Sequence, residues 1–318
     1  MSNLPARVLI HEEAPREGFQ SEPTFIPTET KIAFIEALAN TGVREINCVS
    51  FVNPKRVPQM ADSELVAAGL RRREGVRYTG TWMNLQGFER ALKSGVDLPG
   101  VLFLAASEQF GLENNHQDRT AMLREQQQLR ERYREIGLPV SGVYVFTAFG
   151  CNYQGDIAPA IVERAVADLL DVVGADASPV VYLADTVGWA SPWSIERTVG
   201  MLRERWPQLA IGLHLHDTRG LGLANAAAGL RLGVTHFDAS CGGLGGCPFA
   251  GNPAAAGNIA TEELLLLCEE AGIATGVDLE AMIDCVALAE SIVGHPLPSK
   301  VAKSGSLQSR RRGTVTTM

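Results

Sequence analysis

Short apolar runs alternate with longer stretches of helical spacing from Arg7 to Ile292. Runs of this length bounded by turn residues predict buried strands. They fall at 7–10, 45–52, 76–83, 101–105, 140–149 and 180–185, in a run starting near Leu209, and at 234–240. The intervening stretches predict helices at 28–41, 62–72, 85–94, 118–136, 157–173, from about 191, and at 222–232. Two more helices are expected at 261–271 and 278–292. Eight strands alternating with helices predict an α/β protein with a (β/α)8 TIM barrel and extra C-terminal helices. An open doubly wound sheet is the alternative, and the lack of a GxGxxG motif after the first strand counts against it.

Chemistry in a barrel of this kind gathers at the C-terminal strand ends. Polar residues collect there: Arg16 and Glu17 after strand one, Asn47 and Ser50 on strand two, and Asn84 after strand three. Ser107 and Glu108 follow strand four, Thr147 ends strand five, and Asp185 ends strand six. Strand seven runs into Leu213-His214-Leu215-His216-Asp217-Thr218. Side chains two apart on a strand share a face, so His214 and His216 point together. A single histidine at a sheet end is ordinarily a polar edge residue. A paired His-x-His before Asp-Thr on a barrel strand suits a divalent metal. After strand eight comes a loop with Gly242, Gly243, Gly245 and Gly246 around Leu244, then Cys247. So many glycines are costly unless the backbone must bend or approach a ligand closely.

The composition narrows the function classes. The 318 residues are 46% hydrophobic and 20% charged, with a net charge of −8. That fits a soluble globular protein and gives no footing for a nucleic-acid or membrane-surface partner. No apolar run is long enough to cross a bilayer. The N-terminus lacks a signal-peptide pattern, and six cysteines without a CxxC pair fit a reducing cytoplasm. Residues 1–303 are expected to form one catalytic domain, and 304–318 a polar, disordered tail.

A carboxylate, two imidazoles and a side-chain amide make a mixed oxygen and nitrogen site for Mg, Mn, Co or Zn. Such a site can act as Lewis acid and template, an adjacent arginine can hold an oxyanion, and a cysteine on a closing loop can move a proton. These parts suit carbon–carbon cleavage or formation through an enolate.

Gly243-Leu-Gly-Gly-Cys247-Pro-Phe-Ala, His214-Leu-His-Asp-Thr218, the stretch from Ser50 to Asp62, and Gly257-Asn-Ile-Ala-Thr-Glu262 together resemble the 3-hydroxy-3-methylglutaryl-CoA (HMG-CoA) lyase family. The resemblance runs from about Val8 to Lys303. It implies a metal-dependent barrel lyase that splits an acyl-CoA thioester between its α and β carbons. HMG-CoA would give acetyl-CoA and acetoacetate. Glu17, His214, His216 and Asn258 would bind the metal, Mg or Mn first and Zn or Co next. Arg16 would steady the enolate and Cys247 would donate a proton. Asp185 and Glu262 match residues beside the substrate and the metal site. The family also implies a homodimer and a place in leucine degradation.

Three departures from the family pattern stand out. Arg-Asp after strand one becomes Arg16-Glu17, moving the carboxylate by roughly 1 Å. The glutamate three residues before the serine of Ser-Phe-Val becomes Asn47, with Glu45 on the same face but one step lower. The segment from Cys247 to Asn258 is two residues longer, which makes Asn252 a rival to Asn258. These departures bear on the substrate, so a lyase for a related thioester such as citramalyl-CoA is the first alternative. An aldolase or condensing synthase on the same scaffold, and a non-catalytic metal- or acyl-CoA-binding relative, are the others.

Overall fold

A computed structural model describes residues 4–175, 177–245, 257–308 and 311, with only the backbone of Asn115. Eight parallel strands form one curled sheet: β1 Leu9–Glu12, β2 Glu45–Ser50, β3 Arg77–Thr81, β4 Val101–Ala105, β5 Gly142–Phe146, β6 Val180–Ala184, β7 Ile211–His214 and β8 His236–Ala239. Each lies beside its neighbour in sequence, and β1 pairs with β8 in register from Leu9 opposite His236 to Glu12 opposite Ala239. Between β3 and β4, the two ends of this order, the contact is an isolated bridge from β3 to Asp97 just ahead of β4: Asp97 N donates to Tyr78 O at 2.8 Å and Tyr78 N to the Asp97 carboxylate at 2.7 Å. This is the (β/α)8 TIM barrel expected from the alternation.

The helices fall where their spacing predicts them, with ends shifted by at most three residues: α1 Thr28–Ala39, α2 Ser63–Gly69, α3 Leu85–Ser94, α4 Arg119–Glu135, α5 Pro159–Val173, α6 Pro192–Arg205, α7 Gly222–Arg231, α8 Thr261–Glu270 and α9 Leu279–Val293. Each buries an apolar face; α5, for example, turns Val162, Ala165, Val166, Leu169 and Val173 inward. Beyond α9, Val301–Ser304 forms one further helical turn, the Ser306 hydroxyl donates to Glu280, and Arg311 pairs with Glu270.

Strand one is displaced from its predicted place. It begins at Leu9, and its last residues, His11 and Glu12, are polar. Strand seven is shorter than the apolar run that announces it. Past His214 the chain leaves the sheet, and 215–217 pairs instead with 257–259: Asp217 N donates to Gly257 O and Ile259 N to Leu215 O.

Several polar residues assigned to the barrel mouth serve the backbone. Asn84 caps α3 by accepting from Gly87 N at 2.8 Å, and the Ser107 hydroxyl accepts from Phe110 N. Thr147 sits at φ +53°, a left-handed conformation rare for a β-branched residue. Its hydroxyl accepts from Ser107 N and its own N–H donates to Thr186 Oγ1, which fixes the turn.

Candidate active site

The carboxylate of Glu17 and the rings of His214 and His216 converge at the C-terminal mouth, with their ligand atoms all within 4.8 Å of one another. Glu17 comes from a π-helical turn, Ala14–Gly18, directly after β1. Its Oε1 stands 3.1 Å from His216 Nε2 and 3.7 Å from His214 Nε2. The two Nε2 atoms are 3.1 Å apart. Asn258 is the fourth member. The pairing of 257–259 with 215–217 sets it opposite His216, and its Nδ2 donates to Glu17 Oε1 at 3.1 Å. The four residues grouped from the sequence are therefore neighbours, and the longer Glu17 side chain reaches them.

The donor set fits a divalent cation. The Asn258 Oδ1 atom is buried without a hydrogen-bond partner. His214 Nδ1 lies 3.1 Å from Asp238 Oδ2. The pKa of Asp238 would rise on burial alone, but hydrogen bonds from His11 and His214 hold it down to about 2. As a carboxylate it only accepts, so Nδ1 carries a proton, and a cation held in the site would take the place of the proton on Nε2, the arrangement found behind many metal-binding histidines. Burial disfavours a charged His214, yet the Glu17 charge and the Asp238 hydrogen bond outweigh it and push its pKa up to about 10. The same negative field favours any cation held there. Burial also opposes ionisation of Glu17, but Arg16 and His214 keep it well below the usual carboxylate range.

Arg16 lies beside this group, gripped by Glu13 Oε2 at 2.5 Å and Glu17 Oε2 at 3.0 Å. Asp185 follows β6. One of its oxygens accepts from Trp189 N and Ala190 N, and the other has no partner. Burial raises its pKa to about 6 against the opposing His216 charge. Glu262 is buried at the start of α8, where its carboxylate accepts from Gly242 N at the stem of the Gly-rich loop. Burial pushes it up to about 7. Cys247 and Asn252 lie outside the described residues.

Two residues of the site escaped the sequence reading. Asp238 on β8 orients His214, pairs with His11 Nδ1 at 3.2 Å and accepts from the Tyr144 hydroxyl at 3.0 Å. Its signal was the polar alternation His236, Asp238, Ser240 within a strand. Glu13 lies in the charged stretch between β1 and Arg16. Its carboxylate is buried, and Asn47 Nδ2 donates to it at 3.0 Å and to Thr81 Oγ1 at 2.8 Å. Glu45, by contrast, is drawn to Arg77 at the opposite end of β2.

The sequence profile of the HMGL-like family matches residues 7–288. The chain is 38% identical over 296 residues to the hydroxymethylglutaryl-CoA lyase of Bacillus subtilis, covering 93% of this chain and 96% of that one. It is also 38% identical over 308 residues to the (R)-citramalyl-CoA lyase of Chloroflexus aurantiacus, covering 94% and 95%. Among solved structures, an HMG-CoA lyase from Acinetobacter baumannii in complex with coenzyme A and 3-methylmalate superposes with a TM-score of 0.86 at 36% identity, covering 95% and 96%. A barrel of matching topology, a Glu-His-His cluster with an adjoining amide, and likeness along nearly the whole chain agree: the protein belongs to the HMGL-like family, among the carbon–carbon lyases that cleave 3-hydroxyacyl-CoA thioesters.

Proposed function

We propose that the protein cleaves a 3-hydroxyacyl-CoA, with HMG-CoA the first substrate and citramalyl-CoA the second. The observation that carries this reading is the convergence of Glu17, His214, His216 and Asn258 beside Arg16. Those four residues would hold Mg or Mn, which when bound supplies Lewis acidity toward the β-hydroxyl and its neighbouring oxygen. Asp185 has an unshared carboxylate oxygen and a pKa near neutrality, which suits the base that takes the hydroxyl proton. The Cα–Cβ bond breaks as the hydroxyl becomes a carbonyl, and its electron pair passes into the thioester enolate. Arg16 stabilises the enolate oxygen. The enolate carbon takes a proton from Cys247, giving acetyl-CoA and a keto acid. HMG-CoA yields acetoacetate; citramalyl-CoA yields pyruvate. The described cysteines are all free, which supports a reducing compartment such as the cytoplasm.

The test is acetyl-CoA release from each thioester with Mg or Mn, beside Cys247→Ala and His214→Ala. Turnover that collapses in both variants supports the reading. Failure of the wild type on both thioesters with metal bound refutes it.

A further inference from the structure

Asn47 occupies a place where the resembled family carries a carboxylate on strand two. The pocket around it nevertheless contains one. Glu13 reaches in from the end of the adjacent strand, β1, and its two oxygens lie 3.0 and 3.3 Å from Asn47 Nδ2. The same carboxylate grips Arg16 at 2.5 Å. We propose that Glu13 is the positioning residue for Arg16 in this enzyme, with Asn47 as its clamp. The carboxylate that the resembled pattern places on strand two stands here at the end of β1, and an amide takes its place on β2.

The geometry supports each step. Arg16 must present its guanidinium to an oxygen held at the metal cluster, and a long flexible side chain does so only if it is fixed. Glu17 holds it on one side at 3.0 Å, but Glu17 is also committed to His216 and Asn258. Glu13 is the remaining anchor, and it is tied in turn. Asn47 donates to Glu13 and to Thr81 on β3, so the chain Arg16–Glu13–Asn47–Thr81 crosses three strands. An amide is the right partner here. A second carboxylate at position 47 would face Glu13 at hydrogen-bond distance, where two negative charges repel.

The proposal rests on the lyase reading, and its test separates the two. Glu13→Gln, Asn47→Glu, Asn47→Ala and the exchanged pair Glu13→Gln/Asn47→Glu are compared with wild type on whichever thioester is cleaved. A reacting group misplaced by about 1 Å costs on the order of 100-fold in rate. Glu13→Gln is therefore expected to lower kcat about 100-fold, with KM and calorimetric Mn affinity within about threefold of wild type. Asn47→Glu alone is expected to be at least as poor. The exchanged pair returns the carboxylate to strand two and is expected to recover to within about tenfold of wild type. Should the exchanged pair fail to fold, Asn47→Ala decides: a kcat loss of about tenfold at constant KM is expected.

Deuterium uptake into the methyl group of acetyl-CoA, followed by NMR in D2O, needs only the enolate half of the reaction. It reads the same variants whatever the β-acyl group is. Glu13→Gln with wild-type kcat and uptake overturns the proposal. So does an exchanged pair no better than Glu13→Gln while melting and Mn binding are intact, and so does Asn47→Ala with unchanged kcat. A wild type that neither cleaves nor takes up deuterium overturns the lyase reading and takes this proposal with it.

Discussion

His214 Nδ1 donates to Asp238 Oδ2 across 3.1 Å, so the orientation of one metal-site ring is set by a carboxylate on the next strand. Removing such a partner typically costs 10- to 100-fold in metal affinity. Asp238→Asn is nearly isosteric and turns one oxygen into a donor. Calorimetric titration with Mn is expected to show a loss of about 10- to 100-fold with the fold retained. Wild-type affinity would mean that the pair does not govern the ring.

The same carboxylate gives the barrel floor a pH signature. Burial alone would lower the pKa of His11, but the hydrogen bond to Asp238 and the charges of Glu45, Asp238 and Glu13 raise it to about 9. His236 and the Tyr182 hydroxyl also face it. A pKa raised in the folded state adds stability that is complete below the unfolded value and disappears as pH climbs through the folded one. The unfolding free energy from denaturant titration should fall between about pH 6.5 and 9, by at most about 3 kcal/mol. His11→Gln is expected to flatten that slope. A wild type whose stability does not change across the window would refute the assignment.

Lys31 is buried on α1, where its ammonium donates to Asp62 at 2.6 Å and to Gln59 O. Thr28 completes the knot on the other Asp62 oxygen at 2.7 Å. Asp62 closes the motif that begins at Ser50, and its role is to fasten α2 to α1. Lys31→Ala strands a buried carboxylate, which should cost about 3–5 kcal/mol by chemical denaturation. The double variant Lys31→Met/Asp62→Leu should lose clearly less. Equal losses would show that the lysine acts through packing alone.

Gly212 on β7 faces the ring of Tyr182, where a Cβ would stand 2.5 Å from two ring carbons. The ring has little room to retreat, because it stacks on Tyr144 with centroids 4.4 Å apart. Gly212→Ala should destabilise by about 1–3 kcal/mol. Since Tyr144 donates to Asp238, Mn affinity should weaken in the same variant. A melting temperature equal to wild type would show that the stack yields freely.

The barrel was legible because eight apolar runs alternate with helical periods, and that rhythm depends on no single residue. Boundaries were clear where an apolar residue ends a strand, as at Ala105, and obscure where polar residues are buried. His11 faces Tyr182 across the sheet and Glu12 is buried on the opposite side, accepting from Cys241 N and the Thr261 hydroxyl, so the apolar pattern of strand one ends at Ile10. His214 and His216 could be paired by counting alone. Asn258 needed the likeness to a family, since only the pairing of 257–259 with 215–217 brings it to the cluster. Asp238 and Glu13 were hidden for one reason: their partners, His214 and Arg16 with Asn47, lie across strands, and sequence spacing carries no information about such neighbours.

The contact between Glu13 and Asn47 also changes how relatives should be sorted. Judged by motif alone, position 47 marks a missing acid, because the resembled pattern carries a glutamate there. Judged by which side chains share a volume, the inventory is balanced: one acid, one amide, one guanidinium. With Glu13 in the role proposed for it, a chain keeps its acid while losing the motif that would reveal it. A census of this family built on pockets would retain members that a census built on motifs discards.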